Sequence, residues 1–206
     1  MILSVDYRLA PEHPAPCGLD DCHAALSWLH TNAIDLGINP VQIAVGGESA
    51  GAGLAAALAL RVHGDNPLPI CFQLLTYPML DDRTGTAEYP GDPLTGEFVW
   101  TRDNNRTAWK YYLGEMPAKA PCVPARATDL TGLPPAWIGT AALDLFREEN
   151  TDYAQRLMGA GVQTELIIYP GACHGFQMTA ETKVSKRFYH DHREALRRGL
   201  LEGAYK

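Results

Sequence analysis

Gly46-Gly47-Glu48-Ser49-Ala50-Gly51 is the stretch that decides how this chain folds. It fits the pattern G-x-S-x-G, in which a serine lies on a sharp turn between a buried strand and a helix. A short apolar run at residues 42–45 precedes it, and an Ala/Leu-rich, helix-forming run at residues 54–61 follows. We therefore predict a strained backbone at the serine. We also expect that the two flanking glycines are required because larger side chains would collide across the turn.

Composition places the chain among ordinary globular domains. Its 206 residues are 46% hydrophobic and 20% charged, which is enough for one domain with a real core. The net charge of -7 argues against nucleic acid as a partner. Five cysteines with no C-x-x-C pair are typical of reduced thiols and predict neither a disulfide framework nor a metal site. No apolar run has membrane-spanning length and no leader pattern is seen, so we expect a cytoplasmic protein.

The order of apolar patterns predicts alternating strands and helices. We expect strands at residues 2–7, 42–45, 70–77, 135–140 and 165–169, and helices at residues 19–36, 54–61, 101–113, 148–160 and 182–201. Such alternation favours a mostly parallel sheet with helices on both faces, in a single domain of residues 1–206. Residues 81–121 are rich in Gly, Asp, Pro and Thr, and we interpret them as a small cap-like insertion over the turn.

Three side chains follow predicted strands and could meet at one edge of the sheet. A serine hydroxyl is a weak nucleophile that needs a base, and His174 is the best candidate because it follows a strand as Ser49 does. Asp144 also follows a strand, and the order Ser, Asp, His is that of a known class of hydrolases. We predict that these three residues are catalytic and that the Ala50 amide donates to an oxyanion.

Several motifs resemble one family, the hormone-sensitive-lipase-like esterases (fold-3) of the α/β-hydrolase superfamily. The resemblance spans essentially the whole chain. Two departures are minor: Glu48 stands where Asp is commoner, and Ala52 where a second Gly is usual. The motifs are Val5-Asp6-Tyr7-Arg8-Leu9-Ala10-Pro11-Glu12-His13, Glu48-Ser49-Ala50-Gly51, Leu133-Pro134-Pro135-Ala136, Asp144-Leu145-Phe146-Arg147-Glu148-Glu149 and His174-Gly175-Phe176.

The resemblance implies a serine carboxylesterase that acts on short-chain acyl esters through an acyl-enzyme, without a cofactor or metal. Its partner would be a small-molecule ester. Within the fold we expect Glu48, Tyr77, Trp109 and Phe176 to contact the substrate. Two alternatives stay open. One is a non-catalytic small-molecule receptor on the same fold, against which His174 argues, and the other is an inactive fragment.

One departure from the family is large. The family's His-Gly-Gly loop and its first strands would lie upstream of Ile2 and are absent from this sequence. The strand predicted at residues 2–7 would then either leave a gap in the sheet or shift to pair with residues 42–45. We expect a partial α/β-hydrolase fold that is marginally stable, at most weakly active and prone to self-association through its open sheet edge.

Overall fold

The computed structural model describes residues 1–64, 67–179 and 181–201. Helices and strands alternate along most of the chain, as the sequence predicts. Two short 3₁₀ turns, Pro124–Arg126 and Phe176–Met178, complete the regular structure. The main elements are α1 (Cys17–Thr31), β1 (Ala44–Glu48), α2 (Ala50–Val62), β2 (Phe72–Thr76), α3 (Arg102–Leu113), β3 (Ala136–Ala141), α4 (Arg147–Gly159), β4 (Thr164–Tyr169) and α5 (Lys183–Leu201).

The four strands form one parallel sheet in the order β1-β2-β3-β4. The register places Gly47 opposite Leu75, Leu75 opposite Ile138, and Ile138 opposite Leu166. Every residue of β2 and β3 is buried, which explains why these segments read as unbroken apolar runs. Because the strands are parallel, their carboxyl ends lie at the same edge of the sheet.

Helices cover both faces of this sheet, which confirms the predicted fold class. On one face α2 and α4 pack together through small and aromatic side chains, such as Ala56 and Tyr153, against Leu75 and Ile138. On the other face α5 places Phe188 against Trp137, with ring centroids 6.1 Å apart. Helix α1 packs beside α2.

The strand predicted at residues 2–7 is wrong. These residues belong to no strand, and the Ile2 side chain is 91% exposed. A cleft of about 360 Å³ separates residues 2–5 from β1, so the segment lies too far away to form a ladder. A strand needs a hydrogen-bonded neighbour, and among the described residues this segment has no main-chain partner. The gap, rather than the shifted strand, is therefore found, and β1 is an edge strand. Self-association through that edge stays a prediction.

Two predicted helix boundaries also differ markedly, whereas the other helix ends lie close to their predicted positions. Helix α1 ends at Thr31, because the side chain of Asn32 caps it: Asn32 Nδ2 donates to the Trp28 carbonyl at 2.8 Å. Helix α2 begins at Ala50, immediately after the serine, and not at residue 54.

Residues 81–121 are mostly irregular apart from α3, as the composition indicates. The Thr101 hydroxyl caps α3 by accepting from the Asn104 amide. Arg102 holds the irregular part by donating to three main-chain carbonyls, and Arg147 at the start of α4 pairs with Asp92 at 2.8 Å. Through these contacts and an apolar cluster around Trp109, the insertion packs near the carboxyl edge of the sheet.

None of the helices in the described ranges is long and apolar enough to cross a membrane. All five cysteines are free thiols.

Glu149 is a buried acid in the first turn of α4. It is 6% exposed, and its Oε1 accepts a hydrogen bond from the Leu80 amide at 2.7 Å. Burial raises the pKa of Glu149 well above its usual 4.5, because the charged form loses its hydration. The side chain joins α4 to the segment after β2 at a buried position that favours its neutral, protonated form.

This burial predicts a pH-dependent loss of stability. The pKa of Glu149 is higher folded than unfolded, so the folded state binds more protons above pH 4.5 and stability falls as pH rises. Glu149→Gln, which keeps the acceptor and the shape, should lose less stability between pH 5 and pH 8 than the native chain. Urea unfolding at both pH values measures this. Equal losses in the two proteins would contradict the assignment.

Candidate active site

Ser49 lies on a left-handed turn between β1 and α2. Its φ of 54° and ψ of -119° are strained for a residue with a side chain, as the sequence predicts. Main-chain hydrogen bonds hold the turn on both sides. The Ser49 amide donates to the Thr76 carbonyl at 2.9 Å, and the Ser49 carbonyl accepts from Gly53 at 3.0 Å and Met79 at 3.1 Å.

The two flanking glycines differ in how strictly they are required. A Cβ on Gly47 would lie 2.5 Å from the carbonyl carbon of Gly51, so no larger residue fits there. A Cβ on Gly51 would meet nothing closer than the Tyr7 hydroxyl, at 3.9 Å. The expected collision is therefore found at Gly47, and the expectation is wrong at Gly51. The turn brings the Gly51 backbone close to Gly47 but leaves the outer side of Gly51 open.

Ser49, His174 and Asp144 are brought together in a continuous chain of hydrogen bonds. The Ser49 hydroxyl lies 3.0 Å from His174 Nε2, and His174 Nδ1 lies 2.8 Å from Asp144 Oδ2. Asp144 follows β3 and His174 follows β4, so the parallel strands deliver both residues to the edge where Ser49 follows β1. The sequence therefore correctly placed all three residues after strands.

The Asp144 carboxylate is fully buried, and its other oxygen accepts from the Phe146 amide at 3.0 Å. The His174 side chain is 9% exposed. A carboxylate beside Nδ1 favours the tautomer with its proton on that nitrogen, which leaves the Nε2 lone pair for the Ser49 hydroxyl. This arrangement suits removal of the hydroxyl proton.

Aromatic rings surround the imidazole of His174. Ring centroids lie 4.5 Å away for Tyr77, 5.3 Å for Phe146 and 6.0 Å for Trp100. Neither Phe146 nor Trp100 was predicted as a site residue. The only local signal was that Phe146 follows Asp144 by two positions, whereas Trp100 arrives through packing of the insertion.

Glu48 and Tyr77, both expected at the site, contact each other and a third residue, Gln177. The Tyr77 hydroxyl lies 3.4 Å from Glu48 Oε2, and the Gln177 amide donates to the same oxygen at 3.0 Å. Burial, reinforced by the Glu48 carboxylate, raises the pKa of Tyr77 above its usual value. The hydroxyl thus remains protonated near neutral pH. Gln177 gave no signal in the sequence.

Trp109 and Phe176, the other expected substrate residues, lie in different environments. Trp109 lines an apolar cavity of about 300 Å³ together with Ala50 and Met79, beside the serine turn. Phe176 packs in the core against Tyr169 and Phe188 and lines neither this cavity nor the cleft beside β1. Contact of Phe176 with a substrate stays a prediction. In the part of the chain that the structure describes, no three His, Cys, Asp or Glu side chains are grouped as metal ligands.

Comparison with known proteins identifies the family. A family model described as alpha/beta hydrolase fold matches residues 1–178. The chain belongs to the α/β-hydrolase family, in its fold-3, hormone-sensitive-lipase-like branch. A carboxylesterase of Mycobacterium tuberculosis, NlhH, is 39% identical over 188 residues, covering 85% of this chain and 56% of its own length. The chain thus spans little more than half the length of that relative.

Solved esterase structures resemble this chain closely. A bacterial heroin esterase superposes with a TM-score of 0.87 at 44% identity, covering 94% of this chain and 63% of its own. The esterase LipW from Mycobacterium marinum gives the same TM-score at 42% identity, covering 96% and 62%.

The different surroundings of Gly47 and Gly51 give a matched pair of variants. Gly47→Ala forces a side chain into the Gly51 backbone and should prevent normal folding or lower the unfolding midpoint sharply. Gly51→Ala lies in helix α2 with open space around the new methyl, so it should be tolerated or stabilise by up to about 1 kcal/mol. Thermal unfolding of both variants tests this. A Gly51→Ala chain as damaged as Gly47→Ala would contradict it.

Proposed function

We propose that the chain is a serine carboxylic-ester hydrolase that acts on short-chain acyl esters through Ser49, His174 and Asp144. The observation that carries the proposal is the hydrogen-bond chain from Asp144 through His174 to Ser49, at a strained turn beside an apolar cavity. Relatives named as carboxylesterases and esterases support the same reaction class.

In the proposed first half-reaction, Ser49 Oγ attacks the ester carbonyl carbon while His174 Nε2 takes the hydroxyl proton. Asp144 stabilises the resulting imidazolium and keeps its ring oriented. The tetrahedral intermediate then expels the alcohol, which receives the proton from His174 Nε2. An acyl group remains on Ser49 Oγ. The 3.0 Å and 2.8 Å contacts place the two proton-sharing pairs within hydrogen-bond reach before substrate arrives.

In the second half-reaction, water replaces the alcohol. His174 Nε2 takes a proton from water, and the resulting hydroxide attacks the acyl carbon. The tetrahedral intermediate then expels Ser49 Oγ, which receives the proton back from His174 Nε2. The carboxylic acid is released and the starting hydroxyl is restored. One histidine thus serves as base and acid in each half.

The Ala50 amide is our proposed oxyanion donor. It is the first residue of α2, where main-chain N–H groups lack partners within the helix and the helix dipole favours negative charge. It directly follows the nucleophile, so it lies beside the carbon that Ser49 would attack. Each such donor is worth about 10²–10³ in kcat.

Two alternatives compete with the esterase proposal. A non-catalytic receptor would need a cavity but would have no use for a histidine hydrogen-bonded to both a buried carboxylate and a serine. An inactive fragment would retain this geometry without turnover. A fluorophosphonate probe separates the esterase from both, because it labels only an activated serine.

The proposed preference for short acyl chains rests on the cavity beside Ala50. About 300 Å³ is at the small end of ligand sites. Trp109 is 4% exposed and occupies one wall, where it packs with Tyr112 at 5.6 Å between ring centroids. The wall is therefore rigid, and a longer chain would need to displace an aromatic pair.

The proposed triad predicts a common loss of activity. Ser49→Ala, Asp144→Asn and His174→Ala should each reduce turnover of p-nitrophenyl acetate and butyrate by at least about 10³, and combining them should add little because the residues act as a unit. The native chain should be labelled by a fluorophosphonate at Ser49. Undiminished turnover in Ser49→Ala, or labelling elsewhere, would refute the assignment.

The cavity wall predicts a change in chain-length preference. Trp109→Leu opens the wall while keeping an apolar core, so kcat/KM for octanoate relative to butyrate should rise about tenfold or more. Trp28→Ala is the control, because Trp28 is half-exposed on α1 and lines neither cavity. A native preference for palmitate, or an unchanged ratio in Trp109→Leu, would contradict this account.

A further inference from the structure

The hydroxyl of Tyr77 belongs to a closed group of hydrogen bonds beside the proposed base. Glu48 Oε2 accepts from Tyr77 Oη at 3.4 Å and from Gln177 Nε2 at 3.0 Å, and Gln177 Nε2 also donates to Tyr77 Oη. We call these three residues the Tyr77 cluster. Tyr77 is 2% exposed and Gln177 is 4% exposed, whereas Glu48 is exposed, so the group is buried at Tyr77 and Gln177 and open to water at Glu48.

The ring of Tyr77 is fixed at both of its ends. At the backbone, its φ of 34° is in the left-handed region, and its amide donates to the Gly139 carbonyl at 2.6 Å. At the other end, the hydroxyl is held by Glu48 and Gln177. A strained backbone persists only where its surroundings fix it, and such strain is common at functional sites.

Two side chains of α5 hold the main chain at Gln177 by hydrogen bonds. The Tyr189 hydroxyl donates to the Gln177 carbonyl at 3.2 Å, and Ser185 Oγ donates to the preceding carbonyl, that of Phe176, at 3.0 Å. The segment that follows His174 is therefore tied to a long helix. The Tyr77 cluster joins this segment to the end of β2 and to the residue before Ser49.

The rigid ring lies against His174, 4.5 Å between centroids and tilted by 54°. The two hydrogen bonds of His174 lie at opposite nitrogens, so on their own they leave the ring free to tilt about the line that joins those atoms. Moreover, once Ser49 Oγ carries an acyl group, it has no proton to donate to Nε2. Of the two hydrogen bonds to the imidazole, the bond to Asp144 then remains alone, and packing supplies further restraint on the plane of the ring.

We propose that Tyr77, held by Glu48 and Gln177, is a positioning residue that fixes the plane of the His174 imidazole. The proposal rests on the proposed esterase function and assigns the Tyr77 cluster a role other than substrate contact. The ring acts on His174 by packing, and the hydroxyl acts by holding the ring. Loss of the hydroxyl should therefore affect the rate of chemistry rather than substrate binding.

Tyr77→Phe tests this in the full chain. It keeps the ring and removes the hydrogen bonds, and kcat for p-nitrophenyl butyrate should fall about tenfold with KM unchanged within about twofold, short of the roughly 100-fold that a 1 Å misplacement can cost. Tyr153→Phe is the matched control: this tyrosine is buried on α4 with no hydrogen-bond partner for its hydroxyl among the described residues, so kcat should not change.

Coupling gives a second measurement. Gln177→Leu should reproduce most of the loss in Tyr77→Phe, and the double variant should be little worse than either single one, because all three changes release the same ring. If the losses of kcat in Tyr77→Phe and Gln177→Leu were additive in the double variant, the two residues would not act as one cluster. A raised KM with unchanged kcat in Tyr77→Phe would overturn the proposal in favour of substrate contact, and a loss matched by Tyr153→Phe would reduce it to general destabilisation.

A spectroscopic measurement works without turnover and so separates this proposal from the esterase function. In Ser49→Ala, the low-field proton resonance of His174 Nδ1 should be sharp. It should stay sharp after adding Tyr153→Phe and should broaden or disappear after adding Tyr77→Phe. If the native chain hydrolyses no ester, the esterase proposal fails, and this resonance alone decides the positioning role. An unchanged resonance with Tyr77→Phe would overturn that role.

Discussion

The structure depends on one backbone constraint, the left-handed turn at Ser49. Its amide continues the ladder between β1 and β2 by donating to Thr76, and its carbonyl accepts from Met79 as well as from the next turn of α2. The turn can be this tight only because Gly47 has no side chain to meet the Gly51 backbone. A Cβ on Gly53 would likewise lie 2.2 Å from the Met79 carbonyl, so α2 approaches that segment as closely as atoms allow. These contacts fix the direction of the Ser49 side chain.

The parallel sheet supplies the rest of the site. Asp144 and His174 are 30 residues apart in sequence, yet each follows a strand by a few residues, and β3 and β4 are neighbours with six paired positions. The sheet therefore converts two separate loops into one hydrogen-bonded pair. The aromatic rings of Tyr77, Trp100 and Phe146 then cover the imidazole. Excluding water there strengthens the polar contacts that remain, because the local dielectric constant is lower.

What the sequence could predict follows from how far each signal reaches. Ser49 and His174 were found because their types and their places after strands are local properties. Trp109 was predicted from the aromatic residues of the insertion. Trp100 contacts His174, and Gln177 contacts Tyr77, only through tertiary packing, for which a single sequence carries no local pattern. The segment at residues 2–7 was wrongly predicted for a related reason. Its pattern fits a strand, but a strand exists only with a partner, and a cleft lies where the partner would be.

The cleft beside β1 leaves the serine turn without a neighbouring strand on one side, so its restraints must come from elsewhere. β1 is an edge strand, and unpaired edge strands are weakly restrained on their open side. Yet the hydrogen bonds that position Ser49 come from the opposite side: Thr76 ends β2, and Met79 follows it. Tyr77, between those two residues, is bonded in turn to Gly139 of β3 and packs on His174. The nucleophile and the proposed base are thus both held by the same short segment, residues 76–79, on the side of β1 that pairs with β2. The geometry of the proposed triad consequently does not require a strand on the open side of β1. Such a strand would be needed only to cover β1 and to pair its free main-chain groups.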